Sequence, residues 1–139
     1  MDLKVFKKAG KFIEDYFIDY IDIEYGMRLN MLGFKVVRIN NLILEHDEAN
    51  LSQRRFLGIS IYPWNHQPVR WYYKIRNLLY LKDKYGKCYP DFFRKEIIYY
   101  FKQFIKIFLY ETERMKKLKF AYKGWKAYRN KSVGIFQRD

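Results

Sequence analysis

Between Ile97 and Met115 the apolar side chains recur three and four residues apart: Ile97, Ile98, Phe101, Phe104, Ile105, Phe108, Thr112 and Met115. Only an α-helix brings that spacing onto one face, so the second half of the chain must build helices that bury a stripe. Pro90 and Asp91 open this segment. Just before it, PVRWYYKIRNLLYLKDKYG (68–86) places Trp71, Tyr72, Ile75, Leu78 and Leu79 on one stripe, with Pro68 suited to the first helical position and Gly86 at the end. The tail, RMKKLKFAYKGWKAYRNK (114–131), keeps a weaker stripe of Leu118, Ala121, Tyr122, Trp125 and Tyr128 among lysines.

The first half reads differently. FIDYIDIEYGMRLNMLG (17–33) carries Tyr20, Ile23, Met27 and Met31 at helical spacing, with Gly33 as a stop, which predicts a helix over about 20–32. Asp19 is the expected N-cap, and Asp22 stands three residues on, as in a capping box. KVVRI and LILEH (35–46) flank Asn40-Asn41, which predicts a tight β-hairpin that returns His46 toward the end of that helix. Residues 47–67 have no clean period, contain Gly58 and Pro63, and are expected to form a loop. The fold class is therefore α+β and mostly helical: a helix and a short hairpin, then two to three long amphipathic helices. The expected division falls at 62/63, between a helix-plus-hairpin part (1–62) and a basic helical part (63–139).

Charge is uneven. Residues 1–60 hold nine acids and nine bases, so the whole net charge of +13 lies in the second part. A basic segment rich in aromatics points to phosphate-bearing partners, on nucleic acid, lipid or a diphosphate, or else to a solvated lysine-rich face. The tail helix, with bases all round, fits a helix lying on an anionic bilayer or an ordinary packed terminal helix. No signal-like apolar run opens the chain, and 97–110 is broken by Lys102, Gln103 and Lys106, so no membrane span is expected. The single cysteine, Cys88, excludes an internal disulfide framework and a cysteine zinc cage, and suits a reducing compartment.

Several residues could carry chemistry. Asp22, in the first turn of its helix, lies beside unpaired N–H groups that favour its anion, and it can either cap the helix or accept a proton from a hydroxyl. Glu24 precedes Arg28 in the favoured i,i+4 order, as a surface ion pair or a functional carboxylate. His46 ends an apolar strand between Glu45 and Asp47, as a core residue or a metal ligand. His66, just before Pro68, is expected to help cap that helix. Arg70, Tyr73, Lys74 and Asn77, with Arg76 at the margin, share the face opposite the apolar stripe: a donor array for a phosphate or diphosphate, or a solvated polar face.

Together these pieces resemble the acceptor-side segment of glycosyltransferase family 2, enzymes of the GT-A fold, and bacterial rhamnosyltransferases in particular. The shared features are Asp19, Asp22, Glu24, Tyr25 and Arg28, then Gly33, two apolar runs and His46, and then Arg70-Trp71-Tyr72-Tyr73-Lys74-Ile75-Arg76-Asn77. The resemblance covers residues 5–85 well and the later helices loosely. It implies that Asp22 is the catalytic base, that Glu24 supports the site, and that His46 approaches a divalent cation on the donor diphosphate. It places Asp19, Arg70, Tyr73, Arg76 and Asn77 near the acceptor or the diphosphate. The implied partners are a nucleotide-sugar donor and a glycan or lipid-linked acceptor, in cell-surface polysaccharide synthesis at the cytoplasmic face of the membrane.

The nucleotide-binding sheet and the Asp-x-Asp motif of that family have no counterpart in this sequence. The chain thus resembles an incomplete GT-A fold, its C-terminal portion, expected to need an N-terminal partner half, to be inactive alone and to bind no Mg²⁺ or Mn²⁺ by itself. An uncovered hairpin would favour self-association. The competing reading is a non-catalytic basic module for nucleic acid or anionic membrane; no helix-turn-helix, zinc-finger or RNP-like run is present, so nucleic acid is not expected as a partner.

Overall fold

The computed structural model describes residues 3–37 and 66–137, together with the backbone of 54–56 and 59–61. The chain is mostly helical. Helix α1 (Leu3–Ala9) leads through a single 3₁₀ turn, Glu14–Tyr16, to α2 (Ile21–Met31). Two short strands, β1 (Arg54–Phe56) and β2 (Ile59–Ile61), pair antiparallel with Phe56 opposite Ile59. Three long helices follow: α3 (Pro68–Tyr85), α4 (Pro90–Tyr110) and α5 (Arg114–Arg129).

Helices α2 and α3 start and stop where the sequence predicts. Gly33, at φ +80, ends the turn after α2 in the left-handed region that suits glycine. Pro68 opens α3 and Gly86 follows its last residue. The strands β1 and β2 fall within the stretch expected to be loop; Gly58, between them in sequence, was the available signal. The hairpin expected over 35–46 lies mostly outside the described residues, and His46 lies wholly outside them; Val36 and Val37, at its start, are exposed.

One expectation fails in an instructive way. The stripe read from Ile97 to Met115 as one helix is cut after Tyr110, where Glu111 is extended and Glu113 turns left-handed (φ 53) before α5 begins. The cause is an ion pair inside the protein. Lys117 donates to Glu111 at 2.8 Å, and both side chains are about 1% exposed. A continuous helix would carry Glu111 and Lys117 six residues apart on different faces, so the break is what lets them meet.

A single apolar cluster joins Tyr16, Tyr20 and Met27 to Trp71, Leu78, Leu81 and Tyr85 of α3, to Phe93, Tyr100 and Ile107 of α4, and to Ala121 of α5. Helix α5 lies along α3 through its smallest side chains, Ala121, Gly124 and Ala127. A Cβ on Gly124 would stand 2.3 Å from the carbonyl oxygen of Tyr72, so glycine alone permits this approach. Tyr122 and Trp125, expected in the buried stripe, instead stack on each other outside. After α5 the chain doubles back: Phe136 packs on Tyr72 and Phe120, and its N–H donates to the Tyr73 hydroxyl at 2.8 Å.

Candidate functional site

The segment between the 3₁₀ turn and α2 is strained. Phe17, Asp19 and Tyr20 all adopt left-handed backbone (φ 61, 63 and 69), each costing about 1 kcal/mol or more for a residue with a Cβ. What holds it is a clamp from α3. Asn77 Nδ2 donates to the carbonyls of Tyr16, Ile18 and Asp19 at 2.9, 2.7 and 3.1 Å. Arg76 donates through Nη2 to the carbonyls of Asp15 and Tyr16 (3.0 and 3.1 Å) and through Nη1 to that of Gly134 at 2.7 Å. Arg76 Nε donates to Asn77 Oδ1 at 3.0 Å, and its guanidinium lies over the Tyr72 and Tyr73 rings. Neither side chain retains any exposure.

This corrects the reading of the α3 polar face. Arg76, Asn77 and Tyr73 are not an open donor array for a diphosphate. They are buried, and their donors and acceptors are spent on the backbone of 15–19 and 134–136. An arginine with four acceptors and two aromatic faces is well satisfied inside the protein, which is why it can be buried as a cation.

Asp19 is also reassigned. The capping position falls to Tyr20, without a side-chain bond to the helix. The Asp19 carboxylate instead accepts from Arg70 Nη2 at 2.8 Å through Oδ1, while Oδ2 is buried with no partner. Two donors on the same turn of α3, Arg70 Nε and Trp71 Nε1, are likewise buried and unpartnered. Lys74 lies over the Trp71 ring, and burial chiefly holds its ammonium below the usual lysine range. His66 is lowered to about 4, first by burial and then by the Lys74 and Arg70 cations, so it is neutral near pH 7. Orphaned polar atoms are rare in folded interiors, so this carboxylate and the two donors on the first turn of α3 are an unusual concentration of unmet hydrogen-bonding capacity.

Glu24 is the second hub. Its side chain has no exposure and accepts from Arg28 Nη2 (2.6 Å), Lys84 Nζ (2.9 Å) and the Tyr85 hydroxyl (2.7 Å). Arg28 also donates to the carbonyls of Ala9 and Lys11, which ties α1 to α2. Burial works to raise the Glu24 carboxyl, and the three donors outweigh it, so it stays below the ordinary carboxylate range. Glu24 is therefore neither a surface ion pair nor open to a substrate; it is an internal anchor of α2 on α3.

Asp22 alone of these acids is free to act. It sits in the first turn of α2, exposed, and makes no hydrogen bond or ion pair among the described residues, so the capping alternative is not what the structure shows. The interior pair Tyr20–Glu96, extended by a 2.8 Å hydrogen bond between the Tyr20 and Tyr100 hydroxyls, was not foreseen from sequence; an acid inside the α4 apolar run was its signal. Burial drives both tyrosine hydroxyls well above their ordinary range, so they remain protonated donors. Among the described residues no three metal-ligating side chains converge.

Comparison with known proteins bears on this arrangement. Over 81 residues, 58% of the chain, the sequence is 37% identical to the dTDP-rhamnosyl transferase RfbF of Shigella flexneri. The chain spans about a quarter of that relative's length (26%). No family profile matches the chain, and no solved structure matches it.

Proposed function

We propose that this chain is the acceptor-side part of a family 2 glycosyltransferase of GT-A type, rhamnosyltransferase-like, and that Asp22 is its general base. One observation carries the reading: in a chain similar to a dTDP-rhamnosyl transferase, Asp22 is an exposed carboxylate, unpaired among the described residues, on a helix start whose strained approach is fixed by Arg76 and Asn77. Backbone strain of this kind persists where surroundings over-determine it, and it is concentrated at functional sites.

In the proposed reaction the Asp22 carboxylate takes the proton of an acceptor hydroxyl. The freed oxygen forms a bond to the anomeric carbon of a dTDP-sugar. The bond from that carbon to the diphosphate breaks, and the nucleoside diphosphate leaves with the electron pair. Asp19 and Arg70, joined at 2.8 Å at the start of α3, are proposed to lie near the acceptor, and Glu24 holds α2 without touching substrate. The acceptor is a glycan or lipid-linked glycan in cell-surface polysaccharide synthesis, at the cytoplasmic face of the membrane. Donor binding belongs to a nucleotide-binding part acting with this chain, and His46 is the residue through which a divalent cation on the diphosphate would be met.

The test is sugar transfer from a dTDP-sugar with the nucleotide-binding half supplied, comparing wild type with Asp22→Asn. Loss of a general base lowers the rate about 10²–10⁴-fold. Because Asp22 is exposed, the thermal midpoint should not move. An unchanged rate removes Asp22 from the mechanism.

A further inference from the structure

The apolar stripe that most strongly predicts a helix is not the face that α4 buries. The core takes Phe93, Tyr100, Gln103 and Ile107. Ile97, Ile98, Phe101, Ile105, Phe108 and Leu109 are between 46% and 67% exposed. At about 3.6 residues per turn these six side chains cover an arc of about 120°, beside the buried arc and not within it. On the far edge of that arc runs a row of lysines, Lys95, Lys102 and Lys106, with no acid among them. The acid of this helix interior, Glu96, points the other way and accepts from Tyr20.

The apolar face continues past the start of α4 into an open groove of about 570 Å³ against the end of α3. Its floor is Pro90, Phe93, Ile97 and Ile98, and its rim carries Lys82, Lys87 and Arg94. Asp83, the acid in that rim, accepts from Tyr128 at 2.6 Å. A contiguous apolar strip with lysines along its outer flank and Lys82, Lys87 and Arg94 at its groove end is complementary to a surface with an apolar interior and anionic headgroups. Among the described residues no helix is long and apolar enough to cross a membrane, so the fitting geometry is a helix lying in the interface plane.

We propose that α4 is the membrane-docking element of this protein, seating Ile97, Ile98, Phe101, Ile105, Phe108 and Leu109 at the acyl boundary of an anionic bilayer with Lys95, Lys102 and Lys106 at its phosphates. This assigns the contact to α4 and not to the lysine-rich tail helix, whose small-residue face is committed to α3. The inference does not depend on catalysis.

The test is flotation of the whole chain with vesicles of phosphatidylcholine containing about 30% phosphatidylglycerol, against phosphatidylcholine alone. The expected result is binding to the anionic vesicles that falls steeply with salt. Phe101→Glu/Ile105→Glu, both on exposed sites, should lower partitioning at least roughly tenfold, and each of Lys95→Gln and Lys102→Gln about fivefold. Far-UV circular dichroism and an unmoved urea midpoint establish that these variants fold. Absence of vesicle binding, or unchanged binding by the Phe101/Ile105 variant, overturns the proposal. So does sedimentation showing a wild-type dimer, without vesicle binding, that the same variant converts to monomer, because the face then belongs to a second copy.

Discussion

Removing the Asn77 amide tests the clamp most directly. In Asn77→Ala the carbonyls of Ile18 and Asp19 lose their donor, and Arg76 Nε loses its acceptor. The Tyr16 carbonyl keeps Arg76 Nη2 at 3.1 Å and the Ile18 N–H at 2.7 Å. Three groups are thus left unsatisfied, at about 1 kcal/mol or more each when partly buried, giving a loss of about 3 kcal/mol. That corresponds to a drop of about 10 °C in the melting midpoint for a chain of this size. Asn77→Asp keeps the shape but turns an oxygen anion toward three carbonyl oxygens, so it should be worse than Ala at pH 7. Urea titration followed by circular dichroism measures both. If Asn77 served a diphosphate and not the fold, Asn77→Ala would cost less than about 1 kcal/mol and Asn77→Asp no more than Ala, and the clamp argument would fail.

Other consequences follow from the same contacts. Lys117→Met leaves Glu111 as a buried unpaired carboxylate and should cost about 3–5 kcal/mol in urea unfolding, whereas Glu111→Leu/Lys117→Met together should recover most of it. Gly124→Ala sets a methyl against the immovable Tyr72 carbonyl and should cost about 1–3 kcal/mol, with α3 and α5 forced apart; a stability equal to wild type would contradict the close packing. Glu24, whose folded carboxyl is lowered, contributes stability that is fully present above its ordinary 4.5 and is lost as pH falls through the folded value, so Glu24→Gln should be less stable at pH 7 and flatter below 4.5. His66, neutral when folded down to about 4 but protonated below 6.5 when unfolded, makes stability fall as pH drops from 6.5 to 4; His66→Gln should remove that slope in pH-dependent melting.

Sequence alone determined the helices α2 and α3, with their bounds, because proline, glycine and the 3.6 period act locally and need no partner. It also singled out Asp22, through its place in the first helical turn and a resemblance in the residues around it. What it could not settle was which side of each helix faces inward. Most of the richest apolar stripe of α4 stayed outside, since the core took Phe93, Tyr100 and Ile107 with Phe92 and Phe104 packed against it, and since Glu96 and Gln103 found buried partners or positions on that inner face. Arg76 and Asn77, polar by type, went to the interior because the carbonyls of a strained turn some sixty residues earlier needed donors there. Glu24, read beside Arg28 as an exposed pair or a functional carboxylate, became an anchor only when Lys84 and Tyr85 arrived from another helix. Periodicity is written in neighbours along the chain, but burial and hydrogen-bond satisfaction are decided by groups far apart in sequence, and for this protein those distant pairings are what turn a polar helix face into a clamp and leave an apolar one open to an outside surface.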